Sequence, residues 1–267
     1  MNNRASQKIA FVLAASAHGT LIVNRLDYHQ AGSTVYGVGI QLLESGSFDK
    51  AEVDLVLSLL ELRRKYFGDG VSAVDCGANI GVHTVDWSRR MTGWGTVIAI
   101  EAQERIFYAL AGNLAINNCF NARAIHAAVS SECGTIKIPT LDYQTPASFG
   151  SLEISKLPQS EAIGQNVDYS DAASTEIPAI SLDSIGLKRC DLIKLDVEGM
   201  ELGVLEGASD LIKRFHPIIH AEMVKSDKEA LRSKLTSSGY QVFEVGMNFL
   251  AIHDSDATLS HVKMNAG

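Results

Sequence analysis

The sequence predicts an α/β protein: a mostly parallel sheet with helices on both faces, closed by an antiparallel hairpin. Three observations lead there. From Val71 onward, short apolar runs alternate with segments whose apolar residues recur at helical spacing. The turn Asp75-Cys76-Gly77-Ala78-Asn79-Ile80-Gly81 joins the first such run to the first such helix, and the acidic Glu101 ends the next run. Near the C-terminus, residues 240–253 form two extended stretches around Gly246-Met247, as a hairpin does.

Composition sets the outer bounds. A chain of 267 residues suits one large domain or two small ones. With 23 Lys and Arg against 31 Asp and Glu, the net charge is −8. That excludes a general nucleic-acid binder, which needs a cationic surface to displace phosphate counterions. A hydrophobic fraction of 46% with 20% charged residues is globular rather than disordered. No apolar run approaches the ~20 residues of a membrane-spanning helix, so no membrane partner is expected. Cys76, Cys119, Cys133 and Cys190 are scattered without a C-x-x-C pair. Neither a zinc site nor a disulfide framework is expected, and a reducing, cytoplasmic setting fits.

Residues 1–68 read as an extension of short strands and one helix, packed on a main domain over 69–267. Arg4, Lys8, the apolar residues 9–15 and Ala15-Ser16-Ala17 have the outline of a secretion signal. The apolar stretch is at the short limit for one, and a leading strand or helix is the reading adopted. Residues 21–23 and 34–40 read as extended pieces. A helix is expected over 48–67, with Val53, Val56, Leu57 and Leu60 on one face. Ser47 stands where a cap belongs, Asp49, Glu52 and Asp54 suit the positive end, and Gly68 and Gly70 stop it. Its charges are read as a solvated face.

Strands then fall at 71–75, 96–101, 122–129, 135–139, 191–196 and 217–222. Helices fall at 82–91, 104–117, 202–215 and 228–238. Between 141 and 176 the periodicity gives way to Ser, Gly, Asn and Asp. A loop this long is either a flexible surface excursion or a substrate lid without its own core, with Tyr143, Phe149, Tyr169 and residues 148–151 as acceptor contacts.

The turn at 75–81 carries most of the information. Gly77 lets the chain leave its strand sharply, Gly81 lets the helix start close to its neighbours, and the helix amides face whatever binds there. Glu101 lies 20 residues beyond Gly81, where a carboxylate accepts the hydroxyls of a ribose. A dinucleotide site wants G-x-G-x-x-G, but Asn79 replaces the second glycine and Asp75 would repel a pyrophosphate. S-adenosylmethionine has no phosphate, and its ammonium and sulfonium suit an acidic loop. A purely structural turn accounts for Gly77 and Gly81 but not for Glu101.

Asp75 to Gly81 resembles the first motif of class I S-adenosylmethionine-dependent methyltransferases. Joined to Ile193-Lys194-Leu195-Asp196-Val197-Glu198-Gly199, Val204-Leu205-Glu206-Gly207-Ala208, Ser181-Leu182-Asp183 and Asn113…Asn117, it resembles the FkbM family over about residues 18–252. The resemblance implies a Rossmann-like, seven-stranded, mostly parallel sheet whose last strand is antiparallel. It also implies methyl transfer to oxygen or sometimes nitrogen. By position, Asp75, Gly77, Ala78, Asn79 and Gly81 would surround the methionine end of the cofactor. Glu101 would hold the ribose, and His126 and Ala127 would flank adenine. Ala102 departs from the family, whose members often carry proline there; the change bears on loop stiffness more than chemistry. A half-buried strand histidine accounts equally well for His126, and His83 is read as packing or pairing with a carboxylate.

Ligands of such sheets bind beyond the carboxyl ends of the strands, where Asp196, Glu198, His220 and Glu222 are expected. Transfer from a sulfonium needs mainly alignment, and a hydroxyl acceptor also needs a base. Asp196, closing its strand, is the first candidate base, with Glu222 and His220 behind it. Glu198 is a candidate for binding acceptor, or for fixing its turn by accepting backbone N–H bonds. These acids are also donors suited to Mg²⁺ or Ca²⁺, although nothing in the sequence requires a metal. Lys194 is read as pairing with a nearby acid, and Asp183 as a cap or turn residue. The expected function is O-methylation of a hydroxyl on a sugar or secondary metabolite. N-methylation of a peptide side-chain amide, a non-catalytic nucleoside-binding protein and a nicotinamide oxidoreductase are the rivals. The acceptor is then a small molecule or peptide; the oligomeric state is not legible.

Overall fold

The computed structural model describes residues 9–156 and 160–262. Arg4, Lys8 and three residues of the long loop, 157–159, lie outside them. β1 (Phe11–Ser16) and β2 (Gly19–Asn24) form an antiparallel hairpin, followed by the short pair β3 (His29–Ala31) and β4 (Thr34–Tyr36). The extended piece expected to reach Ile40 ends early. Gly37, at φ 141, turns the chain, and Val38–Ser45 is helix α1. Helix α2 (Lys50–Phe67) follows. Ser47 does not cap it: Asp49 takes the N-cap place at φ 35, and the Ser47 hydroxyl lies 3.3 Å from His18 Nε2. Nor are all its charges solvated. Arg63 is 5% exposed and donates to Asp191 and Asp256 at 3.1 and 2.5 Å.

The alternating region holds β5 (Val71–Cys76), α3 (Val82–Arg90), β6 (Gly95–Glu101), α4 (Glu104–Ile116) and β7 (Ala122–His126). Three further strands follow, β8 (Ala128–Val129), β9 (Gly134–Pro139) and β10 (Ser174–Ile180). The chain closes with β11 (Leu192–Leu195), α5 (Glu201–Glu206), α6 (Ser209–Phe215), β12 (Ile218–Glu222), α7 (Lys228–Ser237), β13 (Tyr240–Val245) and β14 (Asn248–His253).

Seven strands form one sheet in the order β13-β14-β12-β11-β5-β6-β7, parallel except for the two pairings of β14. This is the expected seven-stranded sheet with its last strand antiparallel. That strand is not the edge, however. β14 inserts between β12 and β13, and burial explains why: Phe249, Leu250, Ala251 and Ile252 are all buried, whereas β13 is largely half-exposed. The more apolar strand takes the inner place.

Three other expectations are corrected. The strand over 122–129 breaks at Ala127, whose N–H bonds to Glu101 O, and β8 joins a separate three-stranded sheet, β8-β10-β9. No strand is expected over 174–180, yet β10 forms there, with Pro178 opposite Thr135. The helix over 202–215 is two helices, parted at Gly207, where a side chain would overlap Ser130 O. Asp183 then accepts from the first amides of α6, Asp210 N and Leu211 N, at 3.1 and 2.8 Å.

Alternation along the strands sorts the two faces. Val74, Cys76, Ile193 and Leu195 pack with α5, α6 and α7, while Ala73 and Leu192 face the side covered by α2 and α3. The loop over 141–176 has a core after all. Leu141, Ala147, Phe149, Leu152 and Ile163 are buried with Leu21, Val23, Ile80 and Leu110. These apolar residues are spaced irregularly because an irregular chain buries them, so no period reveals them.

Candidate active site

Asp75, Lys194 and His220 stand side by side on the adjacent strands β5, β11 and β12, pointing to the face under α2 and α3. Each is buried in an otherwise apolar sheet, so their charges must be met locally. Lys194 Nζ lies 2.8 Å from Asp196 Oδ2. Thr84 Oγ1 donates to Asp75 Oδ2 at 2.6 Å, while Asp75 Oδ1 has no hydrogen-bond partner among the described residues. From α2, Glu52 reaches within 3.4 Å of His83 Nε2 and 3.9 Å of His220 Nδ1, and accepts from Asn248 Nδ2 at 3.0 Å.

A cavity of about 280 Å³ opens where the strands of this sheet end. Its lining runs from Glu101 and Ala127 beside β6, past Asp75, Gly77 and Asp196, to Glu222 and Asn248 beside β12 and β14. Tyr36, Val38 and Gln41 from the N-terminal segment and Ser148, Ser151 and Leu152 from the long loop complete the walls. Asp27 joins those two walls, accepting from Gly39 N and Phe149 N at 3.0 Å each.

Of the expected cofactor residues, Asp75, Gly77, Ala78, Asn79, Glu101 and Ala127 line this cavity. Glu101 Oε2 accepts from Asn79 N at 2.9 Å and Oε1 from Gln103 N at 2.8 Å. Burial pushes its carboxyl up to about 7, against the pull of those amides. Asn79 sits at φ 51, and its side chain accepts from Ile80 N. Gly81 stands behind the cavity, not at it: it caps α3 at φ 88, and a side chain there would meet Leu110. His126 also turns away. It is half-buried, its Nε2 3.0 Å from Ala102 O, and it stacks on Phe107 with centroids 5.1 Å apart.

At the end of the cavity beside β11 and β12 the structure brings together Asp196, Glu198 and Glu222, with oxygens within 4.8 Å of one another. His220 does not join them. It is 1% exposed, neither ring nitrogen has a hydrogen-bond partner among the described residues, and burial drives it down to about 3. Such a neutral, enclosed imidazole is floor rather than base. Among the described residues, Glu198 does not fix its turn by accepting backbone N–H bonds. Glu201 does, taking Val197 N at 3.0 Å, while Glu198, at φ 55, pairs with Lys225. Phe149 is fully buried against Tyr143 and does not line the cavity; its neighbours do.

Several site residues escaped sequence reasoning: Asp27, Asp49, Glu52, Gln103, Lys225 and Asn248. None belongs to a motif, and Glu52 reads as one more charge on an amphipathic helix. Lys194 alone left a signal, an ion inside an apolar strand.

The chain matches the methyltransferase FkbM domain over residues 75–242 and belongs to that family. It is 25% identical over 209 residues to Methyltransferase 1 of Beauveria bassiana strain ARSEF 2860, covering 72% of this chain and 83% of that one. It is 26% identical over 156 residues to Methyltransferase sdnD of Sordaria araneosa, covering 51% of this chain and 60% of that one. Among solved structures, an FkbM methyltransferase from Methylobacillus flagellatus KT superposes with a TM-score of 0.48 at 18% identity, over 72% of this chain and 48% of that one. The chain thus spans less than two thirds of the latter two proteins. Family membership makes it a methyltransferase.

Proposed function

We propose that this cavity binds S-adenosylmethionine along Asp75, Gly77, Ala78, Asn79 and Glu101. Its methyl group then passes to a hydroxyl of a sugar or secondary metabolite presented to Asp196 and Glu222. The observation that carries the reading is Glu101. Each of its oxygens already holds one backbone N–H, so the carboxylate is rigid, and as a lining residue of the cavity it keeps lone pairs to spare for two ribose hydroxyls. One further feature fits the cofactor. Asp75 Oδ1, without a hydrogen-bond partner among the described residues, is a buried acceptor suited to the methionine ammonium.

When bound, the cofactor supplies a methyl group already activated on a sulfonium. The chain's own part is to align the acceptor lone pair with that methyl, which accounts for several kcal/mol of the ~7–11 available from ideal orientation. It must also take up the acceptor's proton. Leu152, Ile154 and Val38 give the cavity an apolar stretch of wall. Lys194 and Lys225 already supply positive charge among the acids, so the reading requires no metal there.

Acceptor-dependent formation of S-adenosylhomocysteine, with calorimetry of the cofactor alone, tests the proposal. Turnover with a hydroxyl acceptor supports it. Cofactor binding without turnover on any acceptor would favour a nucleoside-binding protein, and methyl gained on nitrogen would move the acceptor to an amide. Asp196→Asn is expected to depress turnover far more than cofactor affinity.

A further inference from the structure

Residues 148–152 form a short stretch of the cavity wall that cannot hold itself in place. The backbone bonds within it make a single 3-10 turn, Ser151 N to Ser148 O at 3.2 Å and Leu152 N to Phe149 O at 3.4 Å. One such turn is too short to persist alone. Its position is set from outside. Ser148 N donates to Ile163 O at 2.7 Å, and Phe149 N to Asp27. Two of its carbonyls are taken by side chains from different parts of the fold. Gln103 Nε2 donates to Phe149 O at 2.8 Å, and Lys225 Nζ to Ser151 O at 2.9 Å. Between those two carbonyls, a side chain on Gly150 would come 2.7 Å from Asn79 Nδ2, so the stretch lies against the glycine turn.

We propose that Gln103 and Lys225 are positioning residues that hold this wall in register with carboxylates at both ends of the cavity, Gln103 with Glu101 and Lys225 with Glu198. The proposal rests on the methyl-transfer reading above, in which Glu101 meets the cofactor and the acids beside β11 and β12 meet the acceptor. Gln103 then places the wall for the cofactor, and Lys225 places it for the acceptor. No chemical step passes through either residue.

Each anchor does two things at once. The Gln103 backbone N–H holds Glu101 Oε1 at 2.8 Å, while its side chain donates to Phe149 O and accepts from Tyr143 OH at 3.0 Å. Gln103 is buried, so both halves of its amide need partners, and the loop supplies both. The Lys225 side chain is 8% exposed and spends one donor on Glu198, at 2.5 Å, and another on Ser151 O. An ammonium enclosed to that degree needs its counter-charge. Lys225 therefore cannot follow a shifting wall without leaving Glu198, and the wall is pinned to the place that the ion pair dictates.

Hydrogen exchange read by mass spectrometry on the ligand-free, full-length protein tests the anchors. Gln103→Leu and Lys225→Met should each speed exchange across 148–152 by about tenfold, the effect of one lost hydrogen bond, with β5 unchanged. Lys225→Arg, which keeps the charge and the donors, should restore protection. Calorimetry with S-adenosylhomocysteine separates the two ends: Gln103→Leu should raise its Kd several-fold, and Lys225→Met should leave it nearly unchanged. Once an acceptor is known, Lys225→Met should raise its KM with a smaller change in kcat. Unchanged exchange in both variants, or the two affinity effects interchanged, overturns the proposal. A variant that loses protection in β5 as well is unfolding, and the other variant then decides. Should the wild type fail to bind S-adenosylhomocysteine, the methyl-transfer reading falls, while exchange at 148–152 still judges the anchors.

Discussion

A side chain on Gly77 would overlap the carbonyl oxygen of Asp196. The two residues belong to the two motif turns, after β5 and after β11, and Asp196 N donates back to Cys76 O at 3.0 Å. The turn proposed to carry the cofactor and the turn proposed to meet the acceptor are therefore one packed unit. Their separation leaves no room for even a methyl group.

Gly77→Ala should destabilise the protein by ~1–3 kcal/mol from overpacking alone, with more added by the positive φ of 76. Because both turns must part, S-adenosylmethionine affinity should fall as well. Urea unfolding and calorimetry read the two effects. Unchanged values of both would show that the turns are not packed as described.

Glu101→Ala should weaken S-adenosylmethionine binding by ~1.5–3 kcal/mol, the worth of hydrogen bonds to a charged group. It should also lower stability, since Asn79 N and Gln103 N lose their acceptor. Wild-type affinity should strengthen as pH rises through about 7, because the ionised carboxylate accepts from both ribose hydroxyls. A flat calorimetric pH profile from 5.5 to 8.5 would remove Glu101 from the ribose.

Asp27 makes a stability prediction of defined sign. Burial pushes it up to about 6 from 3.8, against the pull of Phe149 N and Gly39 N. A raised pKa means that the unfolded chain ionises first. The stabilising contribution is therefore whole below about pH 3.8 and is lost as pH rises through about 6. The size is ~3 kcal/mol on the usual conversion. Asp27→Asn should reduce the fall in melting temperature between pH 4 and 7. Glu101 and Glu222 will leave a residual slope, since both are raised in the same direction.

Phe149→Ala should cost ~3–5 kcal/mol of stability, as a buried aromatic does, without a selective rise in acceptor KM. Thermal melts alongside acceptor kinetics separate the two. A stable variant with a raised KM would put the ring in the substrate site rather than the core.

Much of the candidate site was legible because its residues close strands. Asp75, Glu101, Asp196 and Glu222 each end an apolar run, and a parallel sheet gathers such ends on one side. His220 shows the limit. The period of two correctly places it on the face of Glu222, yet one row further down the strand that face lies beneath α2 and α3. The same side of the same strand is wall at 222 and floor at 220. His126 and Gly81 fail similarly: each is within two residues of the cavity lining, and neither turns toward it.

By itself the sequence determined the order of strands and helices through Val71–His253 in outline, the glycine turn and the acids beyond the strands. Those features follow from periodicity and from backbone conformations that few residues tolerate, which are local properties. Tertiary structure alone decided which charges are buried and with whom. Arg63 reaches Asp191 and Asp256, Glu52 reaches His83 and Asn248, and Asp27 holds two walls of the cavity together. It also decided that, among the described residues, two of three neighbouring acids have a lysine while the third has none. A charge is stabilised by whatever lies within a few ångströms, and across a folded chain those neighbours are often a hundred residues away.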